Sequence, residues 1–148
     1  MTEGRTTQQR KADVLAALER NGEMWLATAG DGKPQLIVIS GWWDGSQLTM
    51  ATIGGSRTAR NLDAGKVARV GIGAPEDVVM IDVAVSSITP VSKAPEVRTR
   101  FKVALGWDPQ DEGPNWVFYR LQPVRIQAYR GYGEQQGRDV MRDGRWLN

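Results

Sequence analysis

The sequence predicts a mainly β protein: one antiparallel barrel of about six short strands with peripheral helices, spanning residues 1–148 as a single domain. Three observations carry this. Apolar residues alternate with period two through much of the chain, as in Val79, Ile81, Val83 and Val85. Asp-Gly pairs at Asp31-Gly32 and Asp44-Gly45 separate successive apolar runs, the strongest short-range signal for a hairpin. Helical stretches are too few to alternate with every strand, which disfavours a doubly wound parallel sheet.

The elements follow in order. Residues 6–20 read as a surface helix, with Val14, Leu15 and Leu18 at helical spacing and Gly22 as a stop. Runs 24–29, 35–43 and 47–52 are three strands of a meander joined by the Asp-Gly turns. A glycine-rich loop, 53–56, leads into a short helix at 57–65. Strands at 66–73 and 77–89 place Ala68, Val70 and Ile72, then Val79 to Val85, on one face. Residues 94–105 read as a helix closed by Gly106, and 107–114 as a polar loop. The last long strand, 115–130, slips phase: Val117, Tyr119 and Leu121 are odd, but Val124, Ile126 and Ala128 are even. Pro123 lies between the sets, so a bulge or corner is expected there. Residues 131–148 are expected to be a flexible, charged tail, with Trp146-Leu147 able to dock on the barrel or a partner.

Composition removes whole classes of chemistry. The 148 residues include no Cys and no His, which excludes disulfides, thiolate nucleophiles, cysteine zinc sites and histidine-based acid-base or metal chemistry. The acidic loop Asp108, Asp111, Glu112 matches no calcium-loop spacing, so no metal site is expected. The polar N-terminus and the lack of a long apolar run predict neither a leader nor a membrane span, hence a cytoplasmic protein. Nineteen Lys+Arg against 17 Asp+Glu is too even for a concentrated basic face. Arg120, Arg125 and Arg130 share no strand face, so nucleic acid is not the expected partner.

The segment from Thr52 to Leu62 is the best candidate for a site. A strand runs into Gly54-Gly55 and a helix opens directly after, so unpaired N–H groups and the helix dipole favour an anion. Ser56 and Thr58 add hydroxyls, and Arg57 and Arg60 stand three apart on one helical face. The same residues also suit a plain surface helix capped by Ser56 with two solvated arginines. Trp42-Trp43 is the second clue, because adjacent strand residues face opposite ways. One indole then faces outward, to be covered by a partner subunit, a cofactor ring or the 94–105 helix.

The run LATAGDGKPQLIVISGWWDG, then QLTMATIGGSRTARNL, then Tyr119-Arg120-Leu121-Gln122-Pro123 resembles the pyridoxamine 5'-phosphate oxidase-like, FMN-binding split-barrel family, in particular its flavin/deazaflavin-dependent oxidoreductases. The resemblance covers about residues 10–130. It implies a homodimeric six-stranded split barrel with cofactor sites at the dimer interface, and FMN or coenzyme F420 as cofactor. By position it implies that Thr52, Ser56, Arg57, Thr58, Arg60 and Asn61 hold the phosphate and that Val38, Ile39 and Ser40 lie along the ring. Relatives often carry Lys where this chain has Thr58, so the charge would fall to Arg57 or Arg60. Pyridoxamine phosphate oxidases proper carry an Arg-x-His motif that a chain without His lacks. The expectation is an oxidoreductase moving hydride or electrons between the cofactor and a small organic substrate, with backbone N–H groups of 38–40 polarising the ring edge. Tyr119, Tyr129 and Tyr132 are candidate proton donors; no residue is assigned as catalytic. The alternative is a carrier or sensor that uses the same pocket without turnover.

Overall fold

The computed structural model describes residues 4–20 and 22–148. Its elements are α1 (Thr7–Arg20), β1 (Glu23–Gly30), β2 (Lys33–Trp43), β3 (Leu48–Ile53), α2 (Arg57–Gly65), β4 (Val67–Ala74), β5 (Asp77–Pro90), α3 (Pro95–Leu105), β6 (Trp116–Tyr129), β7 (Asp139–Arg142) and β8 (Arg145–Trp146), with short 3-10 turns between some of them. All strand pairings are antiparallel. The order β3-β2-β1-β4-β5-β6 closes through β3–β6 into a six-stranded barrel, and β7 and β8 extend the sheet beyond β6.

Turn chemistry sets the register. Asp31 and Gly32 both take positive φ, 54° and 72°, as the two-residue turn closing β1 and β2 requires. Asp44 Oδ1 accepts from the Ser46 and Gln47 N–H groups, fixing the β2–β3 turn. With register fixed, Leu26, Val70, Ile81, Leu121 and Ile126 all point inward and are fully buried. Each such side chain contributes roughly 1.5–3 kcal/mol of burial. Val14 and Leu18 of α1 close one end of this core. A second core under α3 packs Phe101 against Phe118 and Trp107, at ring-centroid distances of 5.3 and 5.4 Å. Trp42 belongs to it, with the Arg100 guanidinium 4.9 Å above its ring, so α3 is what covers the outward indole.

Two expectations need correction. The phase slip in β6 is at Val124, not Pro123: Asp82 pairs with Arg125 and Val83 with Pro123, leaving Val124 extra and exposed. Pro123 keeps its place on the buried face. Residues 131–148 are also no loose tail. Asp143 and Gly144, with φ 54° and 75°, make a third Asp-Gly turn that folds β7 onto β8, burying Val140 and Met141.

An ion-pair hub fastens this C-terminal segment. Glu134 accepts from the Arg5 guanidinium at 2.6 Å, the Arg5 N–H at 2.7 Å and the Arg130 N–H at 2.9 Å. Arg10, 4% exposed, donates to the carbonyls of Ala128, Glu134 and Gln136. The hydrogen bond from Arg5 outweighs burial and holds the Glu134 carboxyl down at about 2, below its ordinary 4.5. Its stabilisation is therefore present above pH 4.5 and lost as pH falls through about 2. Glu134→Gln should lower stability at pH 7 by about 2–3 kcal/mol and flatten the acid limb of the stability profile, read by urea unfolding across pH. An unchanged acid limb would remove Glu134 from this role. At Gly73, φ is 93° and an added Cβ would lie 2.3 Å from the Asp77 carbonyl oxygen. Gly73→Ala should cost at least about 2 kcal/mol in thermal unfolding.

Candidate functional site

The barrel is closed, but not along its whole height. β2 pairs with β1 from Lys33 to Ser40, while β3 pairs with β2 only from Gly41 to Trp43. Beyond that point β3 continues along β6 as far as Ile53. The two strands part, leaving one edge of β2 free over eight residues, among the described residues. Antiparallel hydrogen bonding says which groups lie on that edge. Gly41 N–H donates to the Gly22 carbonyl at 2.9 Å, so the odd residues of β2 bond to β1. Leu36, Val38 and Ser40 therefore turn their backbone N–H and C=O groups into the parting. Their side chains point outward, and those of Leu36 and Val38 are 63% and 53% exposed. Ile53 on the opposite lip is 50% exposed. Ile39 points the other way and packs against the core.

Helix α2 starts at the foot of this parting. Ser56 caps it, accepting from the Ala59 N–H at 3.2 Å, and the Ser56 and Thr52 hydroxyls stand 3.4 Å apart. Arg57, Arg60 and Lys33, with Gly30, Asp31 and Asn61, line a cavity of about 440 Å³ between the helix and the β1–β2 turn. Arg60 donates to the Gly55 carbonyl at 2.8 Å. Neither Arg57 nor Lys33 forms an ion pair among the described residues. Three cations against one carboxylate make the cavity electropositive.

The predicted residues thus divide. Val38, Ser40, Thr52, Ser56, Arg57 and Arg60 border the parting or the basic cavity. Thr58 and Asn61 lie beneath, both buried. Thr58 donates to Gln35 Oε1 at 3.3 Å, Thr28 donates to the same oxygen, and Asn61 Nδ2 donates to Thr28 at 3.1 Å. These contacts seat α2 on the hairpin. Gly30 makes the seating possible, since a Cβ there would lie 2.1 Å from Asn61 Oδ1. Sequence reasoning missed Lys33, Gln35 and Leu36. The alternation of Leu36 with Val38 on one outward face was the available signal. Tyr119 is no acid-base group at this parting. Burial and then the 2.7 Å bond to Asp63 push the Tyr119 phenol well above its ordinary value. Asp108, from the acidic loop, pairs with Arg98 at 2.8 Å, and no cluster suited to a metal is found among the described residues. No helix among them is long and apolar enough to cross a membrane.

Among solved structures the chain is similar to an F420 reductase, at 20% identity and TM-score 0.64, covering 75% of this chain and 93% of that one. It is similar to a pyridoxamine 5'-phosphate oxidase-related, FMN binding protein of Nostoc punctiforme, at 17% identity and TM-score 0.57, covering 80% and 82%. It is also similar to a FAD-binding protein of Mesorhizobium loti, at 16% identity and TM-score 0.65, covering 80% and 90%. The chain shares the fold of these proteins. No family model matches it, and no curated protein sequence matches it. In this chain the parting of β2 from β3 leaves backbone donors on the same strand that brings Lys33 to the basic cavity.

Asn61→Leu removes a buried donor and leaves Thr28 short of a partner. It should cost about 1–3 kcal/mol in thermal unfolding, whereas Lys33→Ala, at an exposed turn, should stay within about 0.5 kcal/mol. Equal costs would refute the division into seating and rim residues.

Proposed function

We propose that this chain is an oxidoreductase that binds a phosphate-bearing flavin or deazaflavin, FMN or coenzyme F420, at the parting of β2 and β3. The observation that carries this is the free edge of β2: backbone N–H and C=O groups of Val38 and Ser40, unpaired by any strand, in line with a basic cavity. Buried or bordering backbone groups demand partners, and a ring edge with alternating carbonyl and N–H groups is a matching one. When bound, such a ring supplies hydride or electron transfer, chemistry that a chain without Cys or His does not itself provide.

The chain's own residues then have defined tasks. Arg57, Arg60 and Lys33 hold the phosphate, with Thr52 and Ser56 hydroxyls beside them. Val38 and Ser40 fix the ring edge through the backbone, and their N–H groups polarise it. Lys33 to Val38 spans five residues, roughly 16 Å of strand, which separates a phosphate subsite from a ring subsite. Thr58, committed to Gln35, seats the helix and carries no charge toward the anion. The apolar lips Val38 and Ile53 favour cover by a second copy of the chain, so the working unit is a homodimer closing over the ring. Tyr119 is not the proton donor in this reading, since it is locked to Asp63.

The test is a titration of the purified protein with FMN and with F420, read by absorbance and fluorescence. At least one should bind at micromolar affinity or better. Binding of neither removes the proposal. Bound cofactor that no substrate reoxidises, across enones and nitro compounds, turns the reading to a carrier. Arg57→Ala and Arg60→Ala should each weaken binding about tenfold or more, with the melting temperature of the apoprotein nearly unchanged. An unchanged Kd in both would clear them of the phosphate role.

A further inference from the structure

A cavity of about 390 Å³, sharing no residue with the basic cavity, lies between α1 and the tip of the β4–β5 hairpin. Its volume falls in the lower part of the range for small-molecule sites. Strand register shows how it arises. β1 pairs with β4 only from Trp25 to Ala27, opposite Gly71 to Arg69. β4 runs on along β5 to Ala74, so from Ile72 onward its other edge meets no strand among the described residues. α1 lies beside that gap without filling it. The residues it turns there are Asp13, Ala16, Ala17 and Arg20, the i, i+3, i+4, i+7 spacing of one helical stripe. The two alanines, with Gly73, Ala74 and Ala128 on the facing strands, leave the space open. Val14, Ile72 and Val79, all buried, form an apolar floor.

The charges around the cavity are unevenly matched. Four of them close into a ring at one end: Arg5 to Asp13 at 2.9 Å, Asp13 to Arg130 at 3.6 Å, Arg130 to Asp77 at 3.3 Å and Asp77 back to Arg5 at 4.0 Å. Each carboxylate there stands between two guanidinium groups, so a cationic ligand would find no free counter-charge. Arg20, at the other end of the helical stripe, forms no ion pair among the described residues. Asp13 and Arg20 are separated by about 10 Å along the helix axis, and the wall between them is alanine. The cavity therefore offers one unanswered positive charge, then an apolar stretch, then a self-satisfied ring.

We infer that the cavity between α1 and the β4–β5 hairpin is a binding site for a small organic monoanion, a short-chain carboxylic acid. The carboxylate pairs with Arg20, and the chain lies along Ala16 and Ala17 over the apolar floor. Amines of the same length are the class it rejects, because the two aspartates are already paired. The site stands apart from the parting of β2 and β3, and the inference does not depend on the function proposed above.

The test titrates the full chain with hexanoate and follows backbone amide signals by two-dimensional NMR. The amides of Ala17 and Gly73 should shift saturably, with one site per chain and a Kd of about 1 mM or tighter. Hexylamine and hexanol should each bind at least tenfold more weakly. Arg20→Gln, which removes the free charge, and independently Ala16→Leu, which fills the space, should each weaken hexanoate binding tenfold or more. Circular dichroism and melting temperature confirm that both variants fold. Lys33→Ala, in the basic cavity, should leave hexanoate affinity unchanged. No saturable binding, or unchanged affinity in either Arg20→Gln or Ala16→Leu, overturns the inference. So does hexylamine binding as tightly as hexanoate, and so does weakening by Lys33→Ala alone, which would give the acid to the basic cavity beside α2.

Discussion

The divergence of β2 from β3 after Gly41 is the constraint on which the rest of this molecule depends. A barrel strand normally has both edges hydrogen-bonded, and closure is how such folds remove exposed edges. Here closure is kept by β3 pairing with β6, while β2 is released from Lys33 to Ser40. The divergence begins next to a tight spot on β2. Gly41 sits where a Cβ would come within 2.9 Å of Met24 Sδ and 3.2 Å of Met50 Cε. Its lack of a side chain leaves room for both methionine side chains beside the crossing point. Above it, β2 and β3 share a ladder; below it, each follows a different neighbour.

Helix α2 turns that opening into a defined geometry. The polar contacts among Thr28, Gln35, Thr58 and Asn61 involve only uncharged groups, so they cost little to bury when mutually satisfied. They hold the helix foot against the hairpin and leave Arg57 and Arg60 on its outer side, facing Lys33 across the cavity. Charge is thus kept at the rim and neutral hydrogen bonding beneath it. The opposite assignment, with a cation at position 58, would put an ammonium where Gln35 Oε1 is already shared by two hydroxyls.

The sequence by itself determined the antiparallel class, the three strands of the first meander and the α2 cap. These rest on local chemistry: Asp-Gly turns with positive φ, period-two alternation, and a serine side chain reaching a backbone N–H three residues on. It also marked the segment from Thr52 to Leu62 as a candidate anion site, with a plain capped helix as the alternative reading of the same residues. Some local signals are present but outweighed by their surroundings. Asp143-Gly144 is the same turn dipeptide as Asp31-Gly32, but the charges around it mask the signal for the two strands it joins. The β6 bulge falls one residue from its expected place because Pro123, lacking an N–H, can still fill a buried position, while the bulge needs the residue that opposes nothing.

Only the tertiary structure decided the rest. The free edge of β2 is a statement about which strands fail to pair, and strand pairing is non-local. That Thr58 and Asn61 serve the helix seat rather than the rim follows from where Gln35 and Thr28 lie, more than twenty residues away. That Trp42 is covered by α3 depends on Arg100 and the aromatic cluster around Phe101, which fold back from beyond β5. The cavity beside α1 appears because β1 and β4, distant in sequence, pair only as far as Trp25 and Gly71. Side-chain pattern fixes which face a residue takes; the register between distant strands fixes which residues stand together, and no single strand carries that information.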